Sequence, residues 1–412
     1  MRIFIFPGAP HCDNLGDVAM LQIAIRRLKE LWPATSFQVL TDTPQALKIH
    51  CPGVEPVLMR GCKHWLMAGV LPRLLFPAIP PEMRAHFPLT VSNLGRLRTF
   101  AYPPHHSLAR KFTEALFNSD LVVLSGAGII TDVWQGRAMA ILNTFDAAIR
   151  CGIPTAMLGQ GFGPIQNPTL CKRAAEVLPR VNALCIREQR AGLPLLEKMD
   201  VSRTKIFVTG DDAIEPAFCE KRQTLGTRLG VNLRIAGYSA LDEGILGKVR
   251  DVLFGRAQQY QTSLVGIPIS FYSADSDVRT LERLLIHPQS NADMSNNKST
   301  PNEIIRQMSN CRIVVTGSYH AGVFALAQGI PVVGIIRSAY YRDKFQGLAG
   351  EFGAGCVVLP ADEPDFSRQL PAAIDELWER SAELKLDLLS AAERQIKAGQ
   401  SAYAQLPKLL RL

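Results

Sequence analysis

The chain has 412 residues, of which 47% are hydrophobic and 20% charged, so it is too apolar to be disordered and long enough for two domains. Its 45 Lys and Arg residues against 37 Asp and Glu residues give a net charge of +8. A modest basic excess without a recognisable nucleic-acid-binding module disfavours a nucleic-acid partner.

Cysteine and apolar patterning bear on where the protein resides. The nine cysteines are scattered and form no CxxC pair, which predicts neither a zinc site nor a disulfide framework and fits a reduced compartment. The apolar run at residues 1–6 fits a first buried strand and not a signal peptide. The longest apolar run, residues 65–80, contains Pro72, Arg73 and Pro77 and is shorter than the roughly 20 residues of a spanning helix. We expect a cytoplasmic protein that at most lies on a membrane surface.

The first half of the chain alternates short apolar segments with amphipathic ones, which is typical of parallel α/β proteins. Strands are predicted at residues 1–6, 37–40, 121–124, 155–158, 183–186 and 206–208. Helices are predicted at residues 17–31, 138–150, 169–178 and 190–198.

Residues 52–111 interrupt this alternation. Residues 52–104 contain nine of the 27 prolines, so an irregular insertion is predicted there. The whole stretch carries eight basic and two acidic residues, a net charge of +6. Basic side chains such as Arg73, Arg84, Arg96 and Arg98 beside apolar ones would suit peripheral contact with an anionic membrane at its inner face. A folded cap with a solvated basic surface is an equally good interpretation.

The second half repeats the α/β pattern after a polar, glycine-containing stretch at residues 221–230. Strands are predicted at residues 231–235, 263–268, 313–316, 331–336 and 355–359, with a helical tail at 371–398. The sequence therefore predicts two Rossmann-like domains with parallel sheets, residues 1–225 and 226–412.

Three turns follow predicted strands, where open α/β sheets bind ligands. In the first, Asn14 precedes a helix that Asp17 opens, and Asp17 is either a helix cap or a substrate contact. In the second, Gly126 and Gly128 would let the backbone approach an anion, and Gly161 after the next strand suggests a shared cleft.

The third turn contains Gly317, Ser318 and His320 and leads into a helix predicted at residues 321–328. A helix N-terminus with small residues can bind an anion, and an imidazole there could exchange a proton with a bound hydroxyl. The basic residues Arg337 and Lys344 follow the next strand. The alternative is a histidine that caps the helix or packs beneath it.

Other motifs point away from metal and hydrolase chemistry. Asp275 and Asp277 resemble a metal-binding DxD pair, but two such carboxylates after a strand are more often solvated or turn-forming. P-loop, HExxH and GxSxG motifs are absent from the sequence. We therefore expect no metal and no cofactor.

Seven motifs in order resemble the polysaccharide pyruvyl transferase family: NLGDVAML (14–21), LSGAGIITD (124–132), GQGFGPI (159–165), IREQR (186–190), TGDDAIEPAF (209–218), GVNLR (230–234) and TGSYHAGVFALAQGIPVVGI (316–335). The resemblance implies a GT-B-type arrangement with a cleft between the two domains, the second binding the donor. It also implies transfer of pyruvate from phosphoenolpyruvate, as a ketal, to a sugar of an exopolysaccharide or cell-surface glycan precursor. The acceptor would be a glycan or a lipid-linked sugar.

The resemblance assigns roles to individual positions. His320 matches the family histidine that handles a proton, and Asp17 matches the aspartate of the first turn. Arg187 and Lys344 would offer charge to phosphate or carboxylate. Where the family commonly has an arginine two residues before the histidine, this chain has Ser318, and Arg337 is the residue expected to compensate.

Two other functions are open from the sequence. One is a GT-B glycosyltransferase with a nucleotide-sugar donor, which the serine at position 318 and the anion-binding turn motivate. The other is a glycan-binding or nucleotide-sugar-binding protein without catalysis.

Overall fold

The computed structural model describes residues 1–68, 106–273, 275–285, 293–294 and 300–410. Most of the basic segment, residues 69–105, lies outside the described residues, and with it the prediction of membrane contact through Arg73, Arg84, Arg96 and Arg98. None of the helices in the described ranges is long and apolar enough to cross a membrane. All nine cysteines are free, and six of them are buried.

The first half of the chain forms a seven-stranded parallel sheet in the order β3-β2-β1-β4-β5-β6-β7. Its strands are β1 (Arg2–Phe6), β2 (Ser36–Thr41), β3 (Glu55–Leu58), β4 (Leu121–Leu124), β5 (Thr155–Gln160), β6 (Ala183–Ile186) and β7 (Ile206–Val208). Its helices are α1 (Leu15–Leu31), α2 (Pro44–His50), α3 (Met59–Ala68), α4 (His106–Phe117), α5 (Gln135–Arg150), α6 (Pro168–Val177), α7 (Gly192–Lys198) and α8 (Ile214–Cys219).

The second half forms a six-stranded parallel sheet in the order β10-β9-β8-β11-β12-β13. Its strands are β8 (Arg228–Asn232), β9 (Leu264–Gly266), β10 (Asp293–Met294), β11 (Cys311–Thr316), β12 (Val332–Ile336) and β13 (Cys356–Pro360). Its helices are α9 (Glu243–Gln259), α10 (Asp277–Leu285), α11 (Pro301–Met308), α12 (Tyr319–Ala327), α13 (Ala339–Phe352) and α14 (Phe366–Leu410).

Burial on both faces explains why the central strands read as continuous apolar runs. Every residue of β4 (LVVL) and of β12 (VVGII) is buried, as a parallel sheet covered by helices requires. The predicted parallel α/β class is therefore confirmed. In each sheet the strand order reverses beside its first strand, β1 or β8, and this is the place where such sheets bind ligands.

The prediction of an irregular insertion over residues 52–104 is wrong at its start. Strand β3 pairs in register with β2, helix α3 follows it, and α4 begins at His106. Pro56 is tolerated in β3 because that strand is at the edge of the sheet, where one side needs no ladder hydrogen bond. Most of the prolines on which the prediction rested lie within residues 69–105.

Helix α14 is longer than the predicted tail and contacts both halves of the molecule. Its first part buries Phe366, Leu377 and Leu388 in the core of the second sheet. Its last turns bury Tyr403 and Leu406 in a core that includes strands β1 and β2 of the first sheet. The division into domains 1–225 and 226–412 stays a proposal.

Candidate functional site

The N-termini of α1 and α12 face each other between the two sheets. Asn14 caps α1, and its Oδ1 accepts from the N–H groups of Gly16, at 3.0 Å, and Asp17, at 3.3 Å. The same turn bonds to the second sheet, because Leu15 N–H donates to Ile269 O at 2.9 Å. Asn14 therefore fixes the turn that carries Asp17, and it does so against the other half of the protein.

His320 lies against Gly16 on the other side of this junction. A β-carbon on Gly16 would be 2.0 Å from His320 Cγ, so only glycine allows the ring its position. His320 is 7% exposed, and its Nε2 lies 3.7 Å from Asp211 Oδ2 without a hydrogen-bond partner among the described residues. Burial and the charges of Arg187 and Lys344 hold the pKa of His320 well below its usual range. The imidazole is therefore neutral near neutral pH.

Asp17 is desolvated beside several cations. Burial raises its pKa to about 6, although the charges of Lys344, Arg137 and Arg187 act in the opposite direction. A carboxyl group in this range exists in both protonation states near neutral pH, as an acid or base in proton transfer requires.

Arg187 and Lys344 form a cationic pair, in which Arg187 is buried and Lys344 is partly buried. The Arg187 guanidinium lies 4.1 Å from the ring centroid of Tyr319, and its Nη1 donates to Asp211 Oδ2 at 3.5 Å. Its Nη2 is buried and has no hydrogen-bond partner among the described residues. Lys344 Nζ donates to Tyr340 Oη, and burial together with the charge of Arg187 holds the pKa of Lys344 well below its usual range.

The predicted glycines make room for these side chains. A β-carbon on Gly128 would be 2.8 Å from Lys344 Nζ, and one on Gly161 would be 2.6 Å from Arg187 Nη2. Gly161 does not offer a free N–H to an anion, because that group donates to Ala127 O at 2.9 Å. Gly126 instead accommodates Met20 of α1.

The other three predicted donor-site residues have different surroundings. Arg337 donates to Ala240 O at 2.9 Å and forms an ion pair with Asp242 near the surface, which leaves it outside the cluster. Gly317 faces the core of the second sheet, where a β-carbon would contact Leu241. Ser318 is buried at the N-cap of α12, and its side chain accepts no capping hydrogen bond.

Sequence reasoning missed several residues that the fold brings to the site. Asp211 follows β7 and contacts both Arg187 and His320, and burial raises its pKa to about 6. Tyr340 joins the two halves, because its hydroxyl donates to Gly128 O at 3.1 Å. Both residues lie in the family-like segments or beside them, so their position at a strand end or next to a basic cluster was the available signal.

The DxD candidate has a structural explanation. Of the two alternatives for this pair, solvated or turn-forming, burial excludes the first for Asp277, whose carboxylate accepts from Asn232 Nδ2 at 2.8 Å and Arg234 Nη2 at 3.0 Å. The backbone N–H groups of Ile269 and Ser270 also donate to it. Within the described residues, no group of three or more His, Cys, Asp or Glu side chains could hold a metal ion.

Comparison with solved structures identifies proteins that share this fold. A UDP-GlcNAc 2-epimerase from Neisseria meningitidis bound to UDP-GlcNAc has a TM-score of 0.57 at 12% identity over 100% of both chains. The glycotransferase of kitacinnamycin has a TM-score of 0.56 at 11% identity over 99% of this chain and 98% of that one. Spinosyn rhamnosyltransferase SpnG has a TM-score of 0.53 at 14% identity over 99% and 100%. At these identities the likeness shows the fold alone, and it confirms the predicted GT-B type.

Sequence comparison identifies the family of the chain, in addition to its fold. The amylovoran biosynthesis protein AmsJ of Erwinia amylovora is 25% identical over 217 residues, which cover 52% of this chain and 48% of that protein. The match thus spans about half the length of this curated relative. A model of the polysaccharide pyruvyl transferase family matches residues 14–338, a range that contains Asp17, Arg187 and His320 and ends shortly before Lys344. This confirms the resemblance that the ordered motifs predicted, and the chain belongs to the polysaccharide pyruvyl transferase family.

Proposed function

We propose that the protein transfers a pyruvyl group from phosphoenolpyruvate to a pair of hydroxyls on a sugar of an exopolysaccharide or cell-surface glycan precursor. The observation that carries this proposal is the Arg187–Lys344 pair, whose side chains meet at Gly128, together with His320 against Gly16 and the neighbouring Asp17. Membership of the family and the similarity to an amylovoran biosynthesis protein support it.

The cationic pair suits a small dianionic or trianionic donor. Arg187 has a buried Nη2 without a partner, which can donate to a carboxylate or phosphate oxygen. An anion bound beside Lys344 would raise its lowered pKa, because the anion opposes the effect of the Arg187 charge. With Ser318 uncharged and Arg337 paired elsewhere, these two residues carry the donor site.

Proton transfer in two steps balances the reaction. In the first step, neutral His320 takes the proton of one sugar hydroxyl as its oxygen bonds to C2 of the donor, and the protonated form of Asp17 gives a proton to C3. In the second step, Asp17 takes the proton of the second hydroxyl as its oxygen bonds to C2, and His320 returns its proton to the departing phosphate. Both side chains end in their starting state, and the products are a cyclic ketal and phosphate.

The test is release of phosphate from phosphoenolpyruvate by the purified protein with a panel of free and lipid-linked sugars. We expect release that depends on the acceptor and falls about 100-fold or more in His320→Ala. The matched control is His64→Ala, a histidine of helix α3, which follows the edge strand β3. Absence of release across a broad panel, with the fold verified, would contradict the proposal.

A nucleotide-sugar glycosyltransferase is the second candidate, and the GT-B neighbours favour it. Stabilisation against heat by nucleotide diphosphates but not by phosphoenolpyruvate would support this alternative. A non-catalytic glycan-binding protein requires that His320→Ala leave both ligand binding and biological activity unchanged. The proposal replaces the expected division into an acceptor domain, residues 1–225, and a donor domain, residues 226–412, because the donor residues Arg187 and Lys344 come from both halves. A lipid-linked acceptor would be bound at the inner face of the cell membrane.

A further inference from the structure

Four side chains from both halves lie around the loop after β1 and form a second group, which we call the Tyr272 cluster: His11, Asp13, Arg137 and Tyr272. The loop after β1 and the loop after β9 are joined by a backbone hydrogen bond, because Phe271 N–H donates to Asp13 O at 2.7 Å. The rings of His11 and Tyr272 meet edge to face with centroids 5.8 Å apart. Leu15 N–H donates to Ile269 O at 2.9 Å, and Asn14 forms an antiparallel bridge with Ser270, so Tyr272 lies beside the turn that carries Asp17.

Tyr272 is unusual among the large apolar side chains of the described residues because 38% of it is exposed. It follows Phe271 in an irregular segment between β9 and α10, and His11 packs against it. A ring that is held from one side and open on another offers an apolar face together with a hydroxyl that can hydrogen-bond.

Asp13 has an unmet hydrogen-bonding requirement. Its Oδ1 is buried and has no partner among the described residues. Burial raises the pKa of Asp13, although His11 and Arg137 act to lower it. A buried carboxylate oxygen without a donor costs free energy, so a ligand hydroxyl that donates to it would be favoured.

The charge of the cluster distinguishes its ligand from that of the cationic pair. Asp13 and the adjacent Asp17 oppose a second anion, whereas Arg137 already donates to Gly8 O at 2.8 Å. An aromatic face, a carboxylate acceptor and a guanidinium donor suit a neutral ring with several hydroxyls.

We propose that the Tyr272 cluster binds a neutral pyranose, with its C–H face on the Tyr272 ring and a hydroxyl that donates to Asp13. This inference rests on the proposed function only where it identifies the bound sugar as the acceptor. The site then holds the acceptor between Asp17 and Tyr272, and the donor against Arg187 and Lys344.

Saturation-transfer NMR on the full chain tests the proposal without the reaction. The probes are the methyl glycosides of glucose, galactose and mannose, each titrated to obtain a Kd. We expect at least one to bind, with a Kd raised tenfold or more in Tyr272→Ala and in Asp13→Ala. Tyr272→Phe keeps the ring and should weaken binding less than Tyr272→Ala. Leu386→Ala, which removes an apolar side chain that is 72% exposed on α14, is the matched control and should bind as the wild type does.

The outcomes separate this inference from the proposed function. If no glycoside binds the wild type, or if Tyr272→Ala and Asp13→Ala bind as the wild type does, the sugar site is refuted. If sugars bind in the expected pattern but phosphoenolpyruvate releases no phosphate, the sugar site stands and the proposed reaction is refuted.

Discussion

Gly16 and His320 are in contact across the junction of the two sheets, and the contact leaves no space for a β-carbon. An added β-carbon at Gly16 would lie 2.0 Å from Cγ and 2.2 Å from Nδ1 of His320. Since real β-carbons essentially never approach another heavy atom below 3.0 Å, one of the two residues must move if Gly16 is replaced. The glycine of the first turn therefore sets the position of the histidine in the other half.

The first prediction is that Gly16→Ala lowers kcat/KM for transfer about 100-fold, because a displacement of roughly 1 Å in a reacting group costs this much. The control is Gly255→Ala in the exposed interior of α9, where a β-carbon meets no atom within 4 Å. That change should leave activity unaltered and raise stability by about 1 kcal/mol. Normal activity in Gly16→Ala would show that His320 does not need its position.

The second prediction concerns the two arginines that the sequence places in the donor site. Arg187→Lys should raise the donor KM about 10- to 100-fold, because lysine retains the charge but loses the fork that reaches both Asp211 and the donor. Arg337→Lys is the matched substitution at a residue paired with Asp242, and it should leave the donor KM within about twofold. Equal effects of the two variants on the donor KM would contradict the assignment.

Sequence patterns predicted the elements whose signal is local and missed those that depend on neighbours. Strand β4 has the predicted bounds. Its four apolar residues between turns are too few for a helix, so the local pattern predicts a strand. Strand β3 was missed because Glu55 and Pro56 are poor strand residues, and their place at a sheet edge is visible only in the fold. The last turns of α14 were missed because contact with the first sheet, not the local pattern, buries Tyr403.

The same reasoning applies to the site. The ends of parallel strands predicted which turns carry site residues, as His320 and Asp17 illustrate. Position along the chain does not determine which way a side chain points. Arg337 follows β12 as expected but pairs with Asp242, whereas Asp211 follows β7 and contacts Arg187.

The third prediction is a pH-dependent gain in stability for Asp17→Asn. Burial raises the pKa of Asp17 from 3.8 to about 6, so the folded state binds this proton more tightly than the unfolded state does. The contribution of this carboxyl group to the free energy of unfolding is therefore fully present below about pH 4 and is lost as the pH rises through about 6. Above that pH the free energy of unfolding is lower by roughly 3 kcal/mol. Asparagine cannot ionise, so the variant should unfold with a free energy up to that much larger at pH 8 and equal at pH 4.

Chemical denaturation at pH 4, 6 and 8 measures this difference. Asp387→Asn, at an exposed position on α14, is the matched control and should stay within about 0.5 kcal/mol of the wild type throughout. A stability difference for Asp17→Asn that does not change between pH 4 and pH 8 would show that Asp17 is not desolvated in the folded protein.

The fourth prediction tests how α14 is fixed to the first half of the chain. Tyr403 Oη donates to Asp212 Oδ2 at 2.8 Å in a buried site, and Arg27 Nη1 donates to Asp212 Oδ1 at 2.7 Å. Tyr403→Phe removes one donor from a buried carboxylate and should lower the free energy of unfolding by about 1–3 kcal/mol.

Tyr260→Phe is the matched change at a partly buried tyrosine that donates to Asp375. Water can replace the hydroxyl there, so the loss of free energy should be smaller. Urea denaturation measures both losses of free energy. If the loss for Tyr403→Phe is no larger than the loss for Tyr260→Phe, the Asp212 carboxylate does not need the hydrogen bond from α14. Arg27 alone would then satisfy its charge.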